Sequence, residues 1–206
     1  MSSSRRGLAL LVVTAVVGSA ALRRFSRWGA TGAEVHGALP GDELVPHADV
    51  STTRAITVRA PAETVWPWLV QIGQGRGGFY SYDGIENLLG LDIHSADRVM
   101  PEHQSVAVGD TIRLAAEVPL AVAVVEPDRA LVLQGSVPMG DTPAPYDFTW
   151  TFALGDDGGG ATRLVVRERY GYLQWWARLL VRPLTVVSFV MTRRMLHGVR
   201  DRAERR

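Results

Sequence analysis

The chain has 206 residues, no cysteine, and 22 basic against 21 acidic side chains for a net charge of +1. That length holds one domain with a real core and an extra segment, not two full domains, and the absent cysteines exclude disulfides, thiolate nucleophiles and zinc–thiolate sites. Every basic residue is arginine, which excludes Schiff-base and P-loop lysine chemistry.

The charge is unevenly spread. Residues 1–30 carry five Arg and no acid, and residues 173–206 carry eight Arg against Asp201 and Glu204. Basic ends around an acidic middle fit ends that approach an anionic membrane. No nucleic-acid partner is expected, because a binder of that kind needs a basic folded body.

Residues 7–22, GLALLVVTAVVGSAAL, carry no charge and are bracketed by Arg5-Arg6 and Arg23-Arg24. As a helix they span about 24 Å, slightly less than a ~30 Å hydrocarbon core, and Phe25 and Trp28 extend the apolar run toward an interface. Three readings compete for residues 1–28. The first is a single-pass N-terminal membrane anchor, favoured because arginine just beyond the span resists export. The second is a cleaved signal, with small residues at Gly18-Ser19-Ala20 and a Ser4-Arg5-Arg6 start resembling a twin-arginine signal, which implies export after cleavage. The third is a core helix. Residues 29–53, with scattered Gly, Pro and charge and no sustained period, read as a linker.

From residue 54 the chain becomes regular. Ile56 and Val58 alternate with Thr57 and Arg59, as a half-buried strand requires. Pro61 then opens a helix in which Val65, Trp68, Leu69 and Ile72 recur at helical spacing. Residues 73–78 match GxGxxG literally, but the glycines follow a helix instead of joining a strand to a helix. They therefore read as a tight turn and not as a dinucleotide site, and no cofactor is expected. Asp83 followed three residues later by Glu86 reads as a capping box for a second short helix ended by Gly90.

Strand, helix, glycine turn, short helix, β-rich remainder and C-terminal helix is the order of the helix-grip fold. The run APAETVWPWLVQIGQGRGGFYSYD, with IHSADR, VGD and the terminal MTRRMLHGVRDRAE, resembles actinobacterial members of the SRPBCC superfamily, the START and polyketide-cyclase-like group. The resemblance covers residues 54–206 as one domain. It implies an α+β helix-grip fold, a curved antiparallel sheet wrapped around a long C-terminal α-helix with two short helices after the first strand, here preceded by a single apolar N-terminal helix. That superfamily includes lipid carriers, cyclases and binders of hydrophobic ligands, so the shared fold fixes no activity, and it brings no catalytic motif.

Strands are expected at 111–115, then 120–126 and 130–134 as a hairpin about Pro127-Asp128, then 146–154 and 161–170. The clearest alternation puts Tyr146, Phe148, Trp150, Phe152 and Leu154 on one face. In the last strand Leu164, Val166, Glu168 and Tyr170 share a side opposite Arg163, Arg167 and Arg169. Glu168, if it faces a cavity, needs a partner or a raised pKa. The blander reading pairs it with an arginine or water. His94 and Asp97, with Glu102 and His103 nearby, read as a polar surface that holds no metal, since residues three apart on a strand face opposite ways. The C-terminal run divides at Pro183, and beyond it Val187, Met191, Met195 and Val199 form one helical stripe.

An apolar cavity between sheet and C-terminal helix is the expected ligand site. Trp68, Tyr80, Tyr82, Phe148, Trp150, Tyr170 and Met191 are its candidate walls, and Glu168 and His94 its candidate polar groups. The expected function is membrane-tethered binding or transport of a hydrophobic small molecule or lipid. The alternative is a polyketide cyclase- or dehydratase-like enzyme using Glu168, His94 and Tyr82 as an acid–base group.

Overall fold

The computed structural model describes residues 24–88, 90–136 and 144–205. The expected anchor over 7–22 lies outside them. Among the described residues no helix is long and apolar enough to cross a membrane.

Strands β1 (Val50–Val58), β2 (Thr111–Ala115), β3 (Val118–Glu126), β4 (Ala130–Gly135), β5 (Tyr146–Asp156) and β6 (Thr162–Tyr172) form one antiparallel sheet in the order β1-β6-β5-β4-β3-β2. Register shifts within the β2–β3 and β3–β4 pairs bend that end of the sheet. Helices α1 (Gly32–His36), α2 (Ala62–Val70), α3 (Asp83–Leu88) and the long α4 (Ala177–Ala203) complete the fold.

The alternating face of β5 points inward, and it forms one core with Leu164 and Val166 of β6, Val65 and Leu69 of α2, and Met195, Leu196 and Val199 of α4. Gly198 lets α4 approach the chain at residue 80, where a Cβ would stand 2.2 Å from the Tyr80 carbonyl oxygen. The GxGxxG run is a closed turn in which Gly73 and Gly78 pair and both have positive φ, so its glycines serve backbone geometry.

Three expectations are corrected. First, the stretch 29–53 is not a free linker. β1 begins inside it at Val50, and the residues before it lie over the outer face of the sheet, which turns three arginines of β6 toward them. Arg163 bonds Glu34, Arg167 bonds Asp42 and the Gly37 carbonyl, and Arg169 bonds the Val45 carbonyl. Second, α4 is continuous through Pro183. Proline there deprives the Leu179 carbonyl of its helical partner, but Leu179 is exposed, so water reaches that turn. Third, Phe25 and Trp28 are not free to extend an apolar span. Phe25 stacks on Phe189 at 4.6 Å, and Trp28 meets His197 edge-on at 5.5 Å beneath the Arg193 guanidinium, because α4 offers those rings a surface.

Candidate functional site

The helix α4 meets the sheet differently along its length. Its C-terminal half fills the space above the sheet with Met195, Leu196 and Val199. Its first turns also pack on the core, through Ala177 and Val181, while the middle stretch between Leu184 and Thr192 stands off and leaves a cavity of about 350 Å³. Phe148, Trp150, Glu168 and Tyr170 of the sheet line it from below, and Leu184, Val187, Ser188, Met191 and Thr192 of α4 from above. Phe79, Ile85, Glu86 and Tyr146 are also in the wall. Ile85 and Val187 are exposed as well as lining, which puts the mouth between α3 and α4.

Of the residues expected at the site, Phe148, Trp150, Glu168, Tyr170 and Met191 share this cavity. Trp68 and Tyr80 are instead part of the packed core: their rings meet edge-on at 5.8 Å, and the Tyr80 hydroxyl donates to the Trp68 carbonyl at 3.0 Å. Burial drives the Tyr80 phenol far above its usual pKa, so it stays neutral. Tyr82 and His94 lie on the surface, neither among the lining residues. His94 faces Asp92 at 3.0 Å, and Asp97 pairs with Arg202 and Arg205. The Glu168–His94–Tyr82 group is therefore not assembled around one cavity, because the loop carrying His94 turns its ring to water.

Glu168 is held in a dense polar knot at one end of the cavity. Oε1 accepts from Arg54 Nη1 at 3.0 Å, from Thr192 at 3.1 Å and from Ser188; Oε2 accepts from Thr52 and Tyr170, both at 3.3 Å. Arg54 also donates to the Phe25 carbonyl at 3.2 Å and to Ser188 at 3.0 Å. Both charged residues are almost fully buried, and with so many partners the carboxylate is engaged within the fold. Burial, then the nearby Glu168 charge, pushes the Tyr170 phenol well above its usual pKa. Arginine pairing is the bland alternative for Glu168, and it is what the geometry gives. Alternation from Ile56 and Val58 puts Arg54 on the inner face, the one signal in the sequence that points to it.

Glu86 was misread. Asp83 does not cap the helix: its carboxylate accepts from the Ser95 amide at 2.7 Å and hydroxyl at 2.6 Å. Freed from any box, Glu86 turns inward and is only 3% exposed. Burial, with a smaller push from the Asp83 charge, raises its carboxyl from 4.5 to about 7.

No family model matches the chain, and no curated protein matches it. Among solved structures it is similar to protein MLL2253 of Mesorhizobium loti, at 16% identity and a TM-score of 0.46, over 74% of this chain and 96% of that one. It is similar to the Zhui aromatase/cyclase of Streptomyces sp. R1128, at 15% identity and a TM-score of 0.43, over 76% and 94%. It is also similar to the hypothetical protein jhp0584 of Helicobacter pylori, at 10% identity and a TM-score of 0.49, over 81% and 95%. The chain's own sheet order, with one long C-terminal helix across the sheet's inner face, is the helix-grip architecture that the resemblance to the SRPBCC superfamily implies.

Proposed function

We propose that this protein binds a hydrophobic small molecule or lipid in the cavity between its sheet and the middle of α4. The observation that carries this is the apolar cavity of about 350 Å³ itself, walled by Phe79, Leu120, Tyr146, Phe148, Trp150 and Leu184. Unfilled apolar space costs ~24 cal/mol per Å³ in engineered cores, so a cavity this large forfeits several kcal/mol if dry and unoccupied. A folded domain has only about 5–15 kcal/mol in total. A ligand that fills the space recovers that loss, and the volume falls in the range of small-molecule sites.

Native mass spectrometry of the full chain purified from its native host, followed by solvent extraction, tests this. A discrete apolar adduct is expected. A clean apo mass, together with no binding of apolar dyes, sinks the reading.

Tethering to a membrane by residues 7–22 belongs to the same proposal, supported by their uncharged composition and flanking arginines. Full chain that leaves membranes in an alkaline carbonate wash removes it.

A second reading, a cyclase- or dehydratase-like enzyme, is favoured by one observation. Glu86 places in the cavity wall a carboxyl that burial has raised to about 7, the range useful to a general acid or base. Under that reading an extracted cargo incubated with fresh protein loses the mass of water, and Glu86→Gln stops the loss. An unchanged cargo leaves binding alone.

A further inference from the structure

The first half of α4 turns an apolar face to water. Leu179, Val186 and Val190 follow one another at spacings of seven and four, and Leu180, Leu184 and Val187 at four and three, so the two rows lie side by side on one face of the helix. All six are exposed, from 36% at Leu184 to 64% at Leu179, while Ala177 and Val181 on the inward side pack into the core. Leu173 and Trp175, just before the helix, are 56% and 73% exposed, and Ile85 of α3 is exposed across the cavity mouth. Exposed apolar faces of this kind mark interaction sites.

Two observations say what covers this one. The first is charge. From Leu173 to Arg200 the sequence has five arginines and no acid. Arg178 and Arg182 are exposed beside the apolar rows, and the Arg178 guanidinium lies 5.9 Å from the centre of the Trp175 ring. Arginines bordering apolar side chains and an exposed tryptophan match the boundary between acyl chains and anionic headgroups. The second is where the chain enters the fold. The described residues begin at Arg24, and Phe25 stacks on Phe189 of α4 at 4.6 Å. The uncharged run 7–22 therefore joins the domain beside this face. Among the described residues no helix is long and apolar enough to cross a membrane, so α4 would lie on a bilayer and not span it.

We propose that the exposed face of α4 from Leu179 to Val190 is a docking surface for a bilayer that contains anionic phospholipid. The helix lies in the plane of the interface, its apolar rows among the acyl chains and Arg178 and Arg182 at the headgroups. The proposal rests in part on the tethering reading and goes beyond it, because it fixes how the folded domain sits on the membrane. Ile85, Leu184 and Val187 belong both to this surface and to the cavity wall, so docking turns the cavity mouth to the lipid.

The chain has no cysteine, so a cysteine introduced at one position carries a fluorescent label alone. Full chain bearing Leu179→Cys, Val187→Cys or Arg129→Cys is labelled and mixed with vesicles of phosphatidylcholine and phosphatidylglycerol. All three positions are exposed, so the label displaces no packing. Arg129 is the control, since the β3–β4 turn lies at the end of the sheet away from Tyr172 and the start of α4. Nitroxide-bearing acyl chains are expected to quench the labels at positions 179 and 187 and to leave the one at position 129 bright. Adding Arg178→Gln and Arg182→Gln is expected to weaken docking by about tenfold or more, read as loss of most of that quenching, and vesicles of phosphatidylcholine alone are expected to act in the same direction. Unquenched labels at positions 179 and 187 overturn the docking surface, whereas sedimentation of the chain with the vesicles, read in the same samples, reports the tether separately. Quenching at all three positions means nonspecific adsorption, and quenching indifferent to lipid charge and to both arginines removes anionic lipid as the partner; either overturns the proposal. Labels shielded from aqueous iodide yet untouched by the lipid quencher mean that residues 7–22 or a second copy cover the face, which overturns it as well.

Discussion

The sheet buries arginine on both faces, and it does so in opposite ways. On the inner face Arg54 and Glu168 form a buried pair at 3.0 Å, surrounded by Thr52, Ser188, Thr192 and Tyr170. On the outer face Arg163, Arg167 and Arg169 reach up to backbone carbonyls and part-exposed carboxylates of the segment before β1. Inside, each charge depends on the other, since both side chains are almost fully buried. Outside, the carboxylates rehydrate if the arginine leaves. The inner pair fixes where α4 crosses the sheet, because two of its hydroxyls come from that helix; the outer set clasps an N-terminal strap.

The sharpest way to break this contrast is Arg54→Met. It leaves Glu168 buried without its cation, and uncompensated buried charges of this kind cost about 3–5 kcal/mol. A large fall in the urea midpoint is expected. The double variant Arg54→Met/Glu168→Leu is expected to recover most of the loss, since removing both partners of a buried pair is often near neutral. A double variant as unstable as the single one means that the hydroxyl knot, and not the pair, holds the helix.

The outer counterpart is Arg167→Met. Arg167 is itself buried, but its partner Asp42 keeps 19% of its side chain exposed. Losing these bonds is expected to cost about 1–3 kcal/mol, less than the inner variant, and to speed proteolysis within residues 29–49 while the rest of the domain stays resistant. Cleavage spread evenly through the chain contradicts a locally clasped strap.

The difference between the faces also explains which parts were legible in the sequence. Period-two alternation in β5 and β6 is a local signal, so the strands, the inward aromatics and the opposed arginines of β6 could all be read from it. What failed depended on partners far along the chain. The segment before β1 read as a linker because its few apolar residues have no period, yet Thr31 and Glu34 form a capping box that opens α1, and that signal is visible in the sequence. Conversely Asp83 and Glu86 have capping-box spacing and form no box, because Ser95 takes the Asp83 carboxylate. Of the site itself, the sheet's share, Phe148, Trp150, Glu168 and Tyr170, came from alternation, and Met191 from the helical stripe. Arg54 and Glu86 did not, since nothing local says which charged residue a fold will bury.

The same two faces hold two glutamates whose titrations oppose each other. The Arg163 guanidinium, hydrogen-bonded to Glu34 on the strap, holds that carboxyl below its usual 4.5 against a smaller opposing effect of burial. A carboxyl depressed in the folded state contributes stability that is present above 4.5 and is lost as pH falls through the folded value. Glu86 is raised instead, from 4.5 to about 7 by burial. Its folded state prefers the proton, so its contribution is present below 4.5 and is lost as pH climbs toward 7. Glu86→Gln is therefore expected to match the native chain near pH 4.5 and to exceed it at neutral pH, by about 1–2 kcal/mol once water at the cavity mouth is allowed for. Glu34→Gln is expected to cost under about 1 kcal/mol at neutral pH, as a part-exposed pair does, and to converge on the native chain in acid. Urea midpoints taken across that pH range read both effects. A Glu86→Gln curve parallel to the native one means that the cavity carboxyl is hydrated after all, and the contrast between the two faces then rests on the Arg54–Glu168 pair alone.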